Sequence, residues 1–155
     1  MPRLNKINVL YVDDEVSNLK AFQASFRRFY TVFIAESAAE GKKILDENEI
    51  EVILTDQRMP EMTGVEFLQS IIEKHSNPMR ILVTGYADIE VVIEAVNKGN
   101  IFRYIAKPWS TDNLKKIIDH ASEVYRLQRK KEELTDGLLR VNSQIEFMLR
   151  QKLIS

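Results

Sequence analysis

The chain has 155 residues, 45% hydrophobic and 29% charged, which suits one compact domain with an added tail and argues against wholesale disorder. Lys and Arg number 22 against 23 Asp and Glu, a formal net charge of −1, so no global positive field exists to hold nucleic acid and direct binding to it is not expected. The lack of cysteine excludes disulfide scaffolds, thiolate zinc sites and cysteine nucleophiles, and no apolar run reaches the roughly 18 residues of a membrane span. The opening Met1-Pro2-Arg3-Leu4-Asn5-Lys6 lacks the apolar core of a secretory signal, and a cytoplasmic protein with no membrane association is expected.

In chain order, the apolar run 7–12 is followed by Leu19, Phe22, Phe26 and Phe29 at helical spacing. Run 30–35 leads into Ser37-Ala38-Ala39-Glu40, which fits a capping box, and a stripe of Ala38, Gly41, Ile44 and Leu45. Run 52–55 precedes Val65, Leu68, Ile71 and Ile72. Run 81–84 precedes Ile89, Val92, Ile93 and Val96, with Asp88 placed as N-cap and Gly99 as helix stop. Run 102–105 precedes Leu114, Ile117 and Ile118, which open a helix after Ser110 or Thr111. Five short runs alternating with five helical stripes predict an α/β domain: a parallel sheet with helices on both faces and right-handed crossovers.

The last helix does not stop with the domain. Ile117, Val124, Lys131, Leu138, Ile145 and Lys152 form one register, and His120, Leu127, Leu134, Val141 and Met148 the other, an a/d seam of roughly four heptads. Arg126, Arg129, Lys130, Glu132, Glu133 and Arg140 keep the rest of the helix charged; the interleaved acids make it a solvated flank rather than an anion-binding strip. From 124 to 152 such a helix runs roughly 43 Å, too long to bury one narrow seam on a domain of this size. A parallel homodimer through Leu127, Leu134, Leu138, Val141, Ile145 and Met148 is expected, with Lys131 costing stability and fixing register. The boundaries are 1–122 for the domain and 123–155 for the coiled-coil helix.

In parallel sheets, ligands sit beyond the carboxyl ends of the strands. Those ends read Asp13-Asp14-Glu15, Thr55-Asp56, Thr84-Gly85 and Ala106-Lys107-Pro108. Three carboxylates, a hydroxyl and an ammonium therefore converge on one rim. Close carboxylates repel unless a cation sits among them, and an incomplete oxygen set with room for phosphate oxygens suits Mg²⁺. A carboxylate can attack a phosphoryl group, Lys107 can neutralise its oxygens, Thr84 can donate to one, and Gly85 leaves room for it.

The ordered set Asp13-Asp14, Asp56, Met59-Pro60 with Gly64, Thr84-Gly85, Tyr104 and Lys107-Pro108 resembles the response-regulator receiver domain of two-component signalling, over about residues 5 to 122. The longer forms Asp56-Gln57-Arg58-Met59-Pro60, Thr84-Gly85-Tyr86-Ala87 and 102–109 are similar to a subgroup often found upstream of HD-GYP phosphodiesterase, kinase or phosphatase outputs. The resemblance implies a flavodoxin-like (βα)5 doubly wound sheet of strand order 2-1-3-4-5. It implies a phosphoacceptor switch rather than an enzyme, with Asp56 phosphorylated by a sensor histidine kinase or a histidine phosphotransfer protein. Asp14 and Asp56 would hold Mg²⁺ directly, Asp13 through water, and the Arg58 carbonyl would add a ligand. Lys107 would pair with the phosphoryl group, Thr84 and Tyr104 would form the switch pair, and Arg58 and Tyr86 would tune dephosphorylation. The Lys107-Pro108 bond would be cis.

Other readings stand beside this one. Asp13 and Asp14 can cap a helix, Tyr104 can be core, Met59-Pro60 can be a plain turn, and Trp109 can pack or signal. His75 and His120 read as structural, His75 at a helix end where a cation suits the dipole. A small Mg²⁺-dependent aspartyl-phosphate phosphatase is the enzyme alternative, although its usual acid pair is spaced by one residue and here the acids adjoin. A non-phosphorylated structural adaptor is the third.

Overall fold

The computed structural model describes residues 6–85, 89–98 and 101–154. Strands β1 (Asn8–Val12), β2 (Thr31–Ala35), β3 (Val52–Asp56), β4 (Met79–Thr84) and β5 (Arg103–Ala106) alternate with helices α1 (Val16–Phe26), α2 (Ala38–Glu47), α3 (Gly64–Ile71), α4 (Ile89–Asn97) and α5 (Thr111–Ile154). All pairs are parallel, as the alternation of runs and stripes predicts, in the order β2-β1-β3-β4-β5 that the resemblance implies. The central strands are continuous apolar runs because helices cover both their faces, and every residue of β3 is buried.

Register brings the strand ends level. Val12 pairs with Ala35 and Thr55, Asp56 with Val83, and Thr84 with Ala106. The ladder then continues one residue further: the amides of Asp13, Gln57 and Lys107 donate to the carbonyls of Ala35, Val83 and Thr84 at 3.1, 3.0 and 2.9 Å. The backbone of the residues that carry the chemistry is thus pinned by the sheet rather than left to a loop.

The helices follow their apolar stripes with three departures. α1 buries Leu19, Phe22 and Phe26 but ends there. Phe29 lies beyond it, 37% exposed, with the Lys115 ammonium 4.9 Å and the Arg28 guanidinium 5.3 Å from its ring centre. In α4 the buried residues are Val92 and Ala95, while Ile89, Ile93 and Val96 are exposed, so the expected stripe faces outward. Ile117 belongs to the core of the domain and is not available to a pairing seam. Asp88 and Gly99, taken as the ends of that fourth helix, lie outside the described residues. The capping box of α2 forms with an offset: the Glu40 amide donates to Ser37 Oγ at 3.2 Å, and the Glu40 carboxylate accepts from the Glu36 amide, one residue early, at 2.8 Å. Ser110 caps α5, accepting from the Asn113 amide at 3.2 Å.

Contacts divide the chain into units Met1–Ser122 and Glu123–Ser155. Within the first, an aromatic column runs from Tyr11 to Phe22 (centroids 4.7 Å, stacked), Phe26 (4.7 Å) and Tyr30 (5.9 Å). Tyr30 donates its hydroxyl to Asp119 of α5 at 2.7 Å. Within the second, Leu127, Leu134, Leu138, Val141, Ile145 and Met148 are exposed along α5. Among the described residues no helix is long and apolar enough to cross a membrane.

Gly64 opens α3 directly against the end of β3. A Cβ there would stand 2.4 Å from the Asp56 carbonyl oxygen and 2.7 Å from Leu82 Cδ1. The approach is held by the Gly64 amide donating to the Gln57 carbonyl, and by the Val65 amide donating to the buried Gln57 side chain, both at 3.0 Å. Gly64→Ala should therefore destabilise the protein by about 1–3 kcal/mol, the usual cost of overpacking, read as a lower urea midpoint at unchanged slope.

Candidate functional site

Asp13, Asp14 and Asp56 each offer an oxygen, and these oxygens lie within 4.8 Å of one another. Asp13 is fully buried and Asp56 nearly so, while Asp14 is exposed. Asp13 is held by neutral donors. Its Oδ1 accepts from the Glu15 amide at 2.9 Å, and its Oδ2 accepts from the Tyr11 hydroxyl at 3.0 Å and from Asn18 Nδ2 at 3.1 Å. Asp13 does not cap α1, whose N-cap is Glu15 with no side-chain hydrogen bond; it holds the Glu15 amide and Asn18 while facing the site. Burial first, and the Asp13 carboxylate next, push the Tyr11 hydroxyl well above its ordinary range, so it stays a proton donor.

Lys107, directly after β5, reaches across to Asp56 Oδ1 at 2.9 Å and lies 4.0 Å from Asp13 Oδ2. The following bond to Pro108 is cis. Burial pushes the Asp56 carboxyl above its ordinary value of 3.8; the hydrogen bond and charge of Lys107 oppose this, and Asp13 adds to it. Thr84 is buried at the end of β4 and donates its hydroxyl to the Gly85 carbonyl at 3.1 Å. Gly85 has open space where a Cβ would be. A divalent cation fits this donor set, because hard oxygens cluster around a like-charged gap that one ammonium offsets only in part. A cleft of about 460 Å³ adjoins the site, lined by Tyr11, Asn18, Ala21, Lys107, Pro108 and Trp109.

The structure thus unites Asp13, Asp14, Asp56 and Lys107 at one rim, with Thr84 at the end of the neighbouring strand. Arg58 is exposed in the loop after β3. Met59 packs against the core with its sulfur 3.9 Å from Thr55 Oγ1, so the turn it opens is anchored. Tyr104 is 41% exposed on β5, which removes its reading as core. Tyr86 lies outside the described residues. Trp109 packs edge-on against Phe22 at 6.2 Å and tilted against Phe26 at 5.8 Å. His75 pairs with Asp46 at 2.8 Å, and the His120 ring lies 5.7 Å from that of Phe102; both are remote in role from the acidic rim.

Residues 9–119 match the response regulator receiver domain. The chain belongs to that family. This receiver is 36% identical over 124 residues to the hydrogenase transcriptional regulatory protein HoxA of Bradyrhizobium diazoefficiens, which covers 80% of the present chain and 26% of that protein. The chain thus spans about a quarter of the length of that curated relative. The fold is similar to the adenylate cyclase of Rhodopirellula baltica, with TM-score 0.82, 32% identity, and coverage of 86% of this chain and 98% of that one. It is also similar to the signal receiver domain of an HD domain-containing protein from Pseudomonas fluorescens Pf-5, with TM-score 0.74, 28% identity, and coverage of 79% and 98%. As a receiver, the chain is a phosphoacceptor switch rather than a conventional enzyme, and its acidic pocket is Asp13, Asp14 and Asp56 with Lys107.

Sequence reasoning missed Tyr11, Asn18 and Gln57. Tyr11 sits inside an apolar run and reads as core; only its position two residues before an acid pair signals that its hydroxyl faces Asp13. Asn18 belongs to no motif, and Gln57, although part of Asp56-Gln57-Arg58-Met59-Pro60, carries no sign of its bond to Val65; their partners lie five and eight residues away.

Because burial raises the Asp56 carboxyl, its ionisation costs folding stability above the folded value and costs nothing once the pH falls below 3.8. In EDTA, Asp56→Asn should therefore raise the melting temperature at neutral pH, and the gain should shrink toward zero as the pH is lowered below 4. Calorimetric scans across that window check the sign; a variant less stable than the parent at pH 7 refutes it.

Proposed function

We propose that this chain accepts a phosphoryl group on Asp56 from a sensor histidine kinase or a histidine phosphotransfer protein and passes the change to the helix 123–155. The observation that carries the reading is the 2.9 Å contact of Lys107 with Asp56 inside a three-carboxylate cluster. A carboxylate oxygen of Asp56 attacks phosphorus as the phosphorus–nitrogen bond of the donor phosphohistidine breaks. The imidazole leaves with the electron pair and regains its proton from solvent. Asp14 and Asp56 would hold Mg²⁺, with Asp13 acting through water and the Arg58 carbonyl as a further ligand. When bound, Mg²⁺ neutralises charge on the transferring oxygens. Lys107 contacts the same group as a point charge, which favours the acyl phosphate.

The switch uses Thr84 and Tyr104. The Thr84 hydroxyl now donates to the Gly85 carbonyl and would exchange that bond for a phosphoryl oxygen. Tyr104, outward-facing and exposed, would turn into the space Thr84 leaves. Arg58 and Tyr86, two residues beyond Asp56 and Thr84, would set the lifetime of the phosphorylated state. Moving a population from 1:99 to 99:1 takes about 5.5 kcal/mol of differential binding, which a phosphoryl group paired with Lys107, beside a cation that Asp14 and Asp56 would hold, would supply.

The output reading is a parallel homodimer through Leu127, Leu134, Leu138, Val141, Ile145 and Met148. Their exposure along α5 supports it. The similarity to a receiver from an HD domain-containing protein supports placement in the subgroup upstream of HD-GYP and related outputs. A donor kinase charged from ATP makes the cytoplasm the site of exchange.

Incubation with acetyl phosphate and Mg²⁺ should add the mass of one phosphoryl group, mapped to Asp56 and abolished by Asp56→Asn; a modification elsewhere, or none, refutes the phosphoacceptor assignment. The chain cut after residue 122 should sediment as a monomer and the full chain as a dimer. An unchanged dimer after truncation would place the interface within the domain.

A further inference from the structure

Asp13 differs from the other two carboxylates in how fully the protein engages it. Each carboxylate oxygen has two lone pairs. Both lone pairs of Asp13 Oδ2 meet protein donors, the Tyr11 hydroxyl at 3.0 Å and Asn18 Nδ2 at 3.1 Å. Oδ1 takes the Glu15 amide at 2.9 Å and keeps one pair. Asp13 can therefore offer one lone pair on one oxygen to a water held by the cation, and a bidentate grip on the cation itself is closed to it. The Tyr11 ring is fixed independently of its hydroxyl: it is buried and stacks on Phe22 at 4.7 Å and 10°.

We infer that Tyr11, assisted by Asn18, is a positioning residue that sets which divalent cation the acidic rim prefers. Ca²⁺ takes six to eight oxygens in flexible geometry and gains from bidentate carboxylates. Mg²⁺ keeps several waters and needs six ligands at octahedral angles. Occupying Oδ2 bars Asp13 from moving into the direct, bidentate contact that the larger ion gains from, and leaves the smaller ion its waters, through one of which Asp13 reaches it. The same two donors hold the carboxylate plane still, which octahedral geometry rewards. The inference rests on the metal reading given above and specifies how the site selects its ion.

The test is calorimetric titration of the full chain with MgCl₂ and with CaCl₂, using the parent, Tyr11→Phe, Asn18→Ala and the double variant. Tyr11→Phe keeps the stacked ring, and Asn18 is partly exposed at the surface of α1, so the second variant guards against a folding defect in the first. The Ca²⁺-to-Mg²⁺ affinity ratio should rise about tenfold in Tyr11→Phe, the scale of one hydrogen bond to a charged group, and further in the double variant. Melting temperatures of the metal-free proteins are read alongside, because a purely structural role lowers them without moving the ratio. A ratio unmoved in all three variants, with saturable Mg²⁺ binding by the parent, overturns the inference and leaves the Mg²⁺ site standing. A parent with no saturable Mg²⁺ binding overturns both.

Discussion

Lys107 meets Asp56 across the carboxyl end of a parallel sheet, and the rest of the site is arranged around that ion pair. Three carboxylates share the rim, so their mutual repulsion must be offset within the protein before any ligand arrives. One ammonium does part of this. Neutral donors around Asp13 do another part by stabilising its charge in a buried place. The remainder stays as strain on Asp56, whose carboxyl burial has pushed upward. A rim left short of positive charge in this way suits a divalent cation.

Precision comes from the backbone. The ladder extends one residue past β1, β3 and β5, so Asp13, Gln57 and Lys107 start from fixed amides. Gly64 lets the first turn of α3 press against the carbonyl of Asp56, and Gln57 clamps that turn from both its backbone and its side chain. Motion near Asp56 is therefore resisted on the α3 side. On the α1 side, the ring of Tyr11 continues into Phe22, Phe26 and Tyr30, and Tyr30 reaches α5 through Asp119. Each aromatic pair contributes about 0.5–1.5 kcal/mol beyond its burial, so the column is a stiff element between the rim and the base of α5.

Among the described residues, most of the exposed large apolar side chains fall in two places. α4 exposes Ile89, Val91, Ile93 and Val96, and the free part of α5 exposes leucine, isoleucine and methionine at heptad spacing. A helical stripe does not say whether the domain or a partner will cover it. In α1 and α3 the stripe turned inward. In α4 the same spacing turned largely outward, and the inward positions went to Val92 and Ala95.

The sequence by itself determined the architecture, because alternation of short apolar runs with helical stripes has few solutions in a chain this size and right-handed crossovers remove most of them. It also determined the chemistry of the rim, since Asp13, Asp14, Asp56, Thr84 and Lys107 all stand where strands end and a parallel sheet brings such ends together. Tertiary structure decided what depends on partners far along the chain. It set which face of α4 is buried, that α1 stops before Phe29, that Ile117 is core rather than seam, and that a tyrosine within an apolar run points its hydroxyl at Asp13. Periodicity reports how apolar residues are spaced. It carries no information on which neighbouring element fills the space beside them, and that was settled only when the sheet and helices packed.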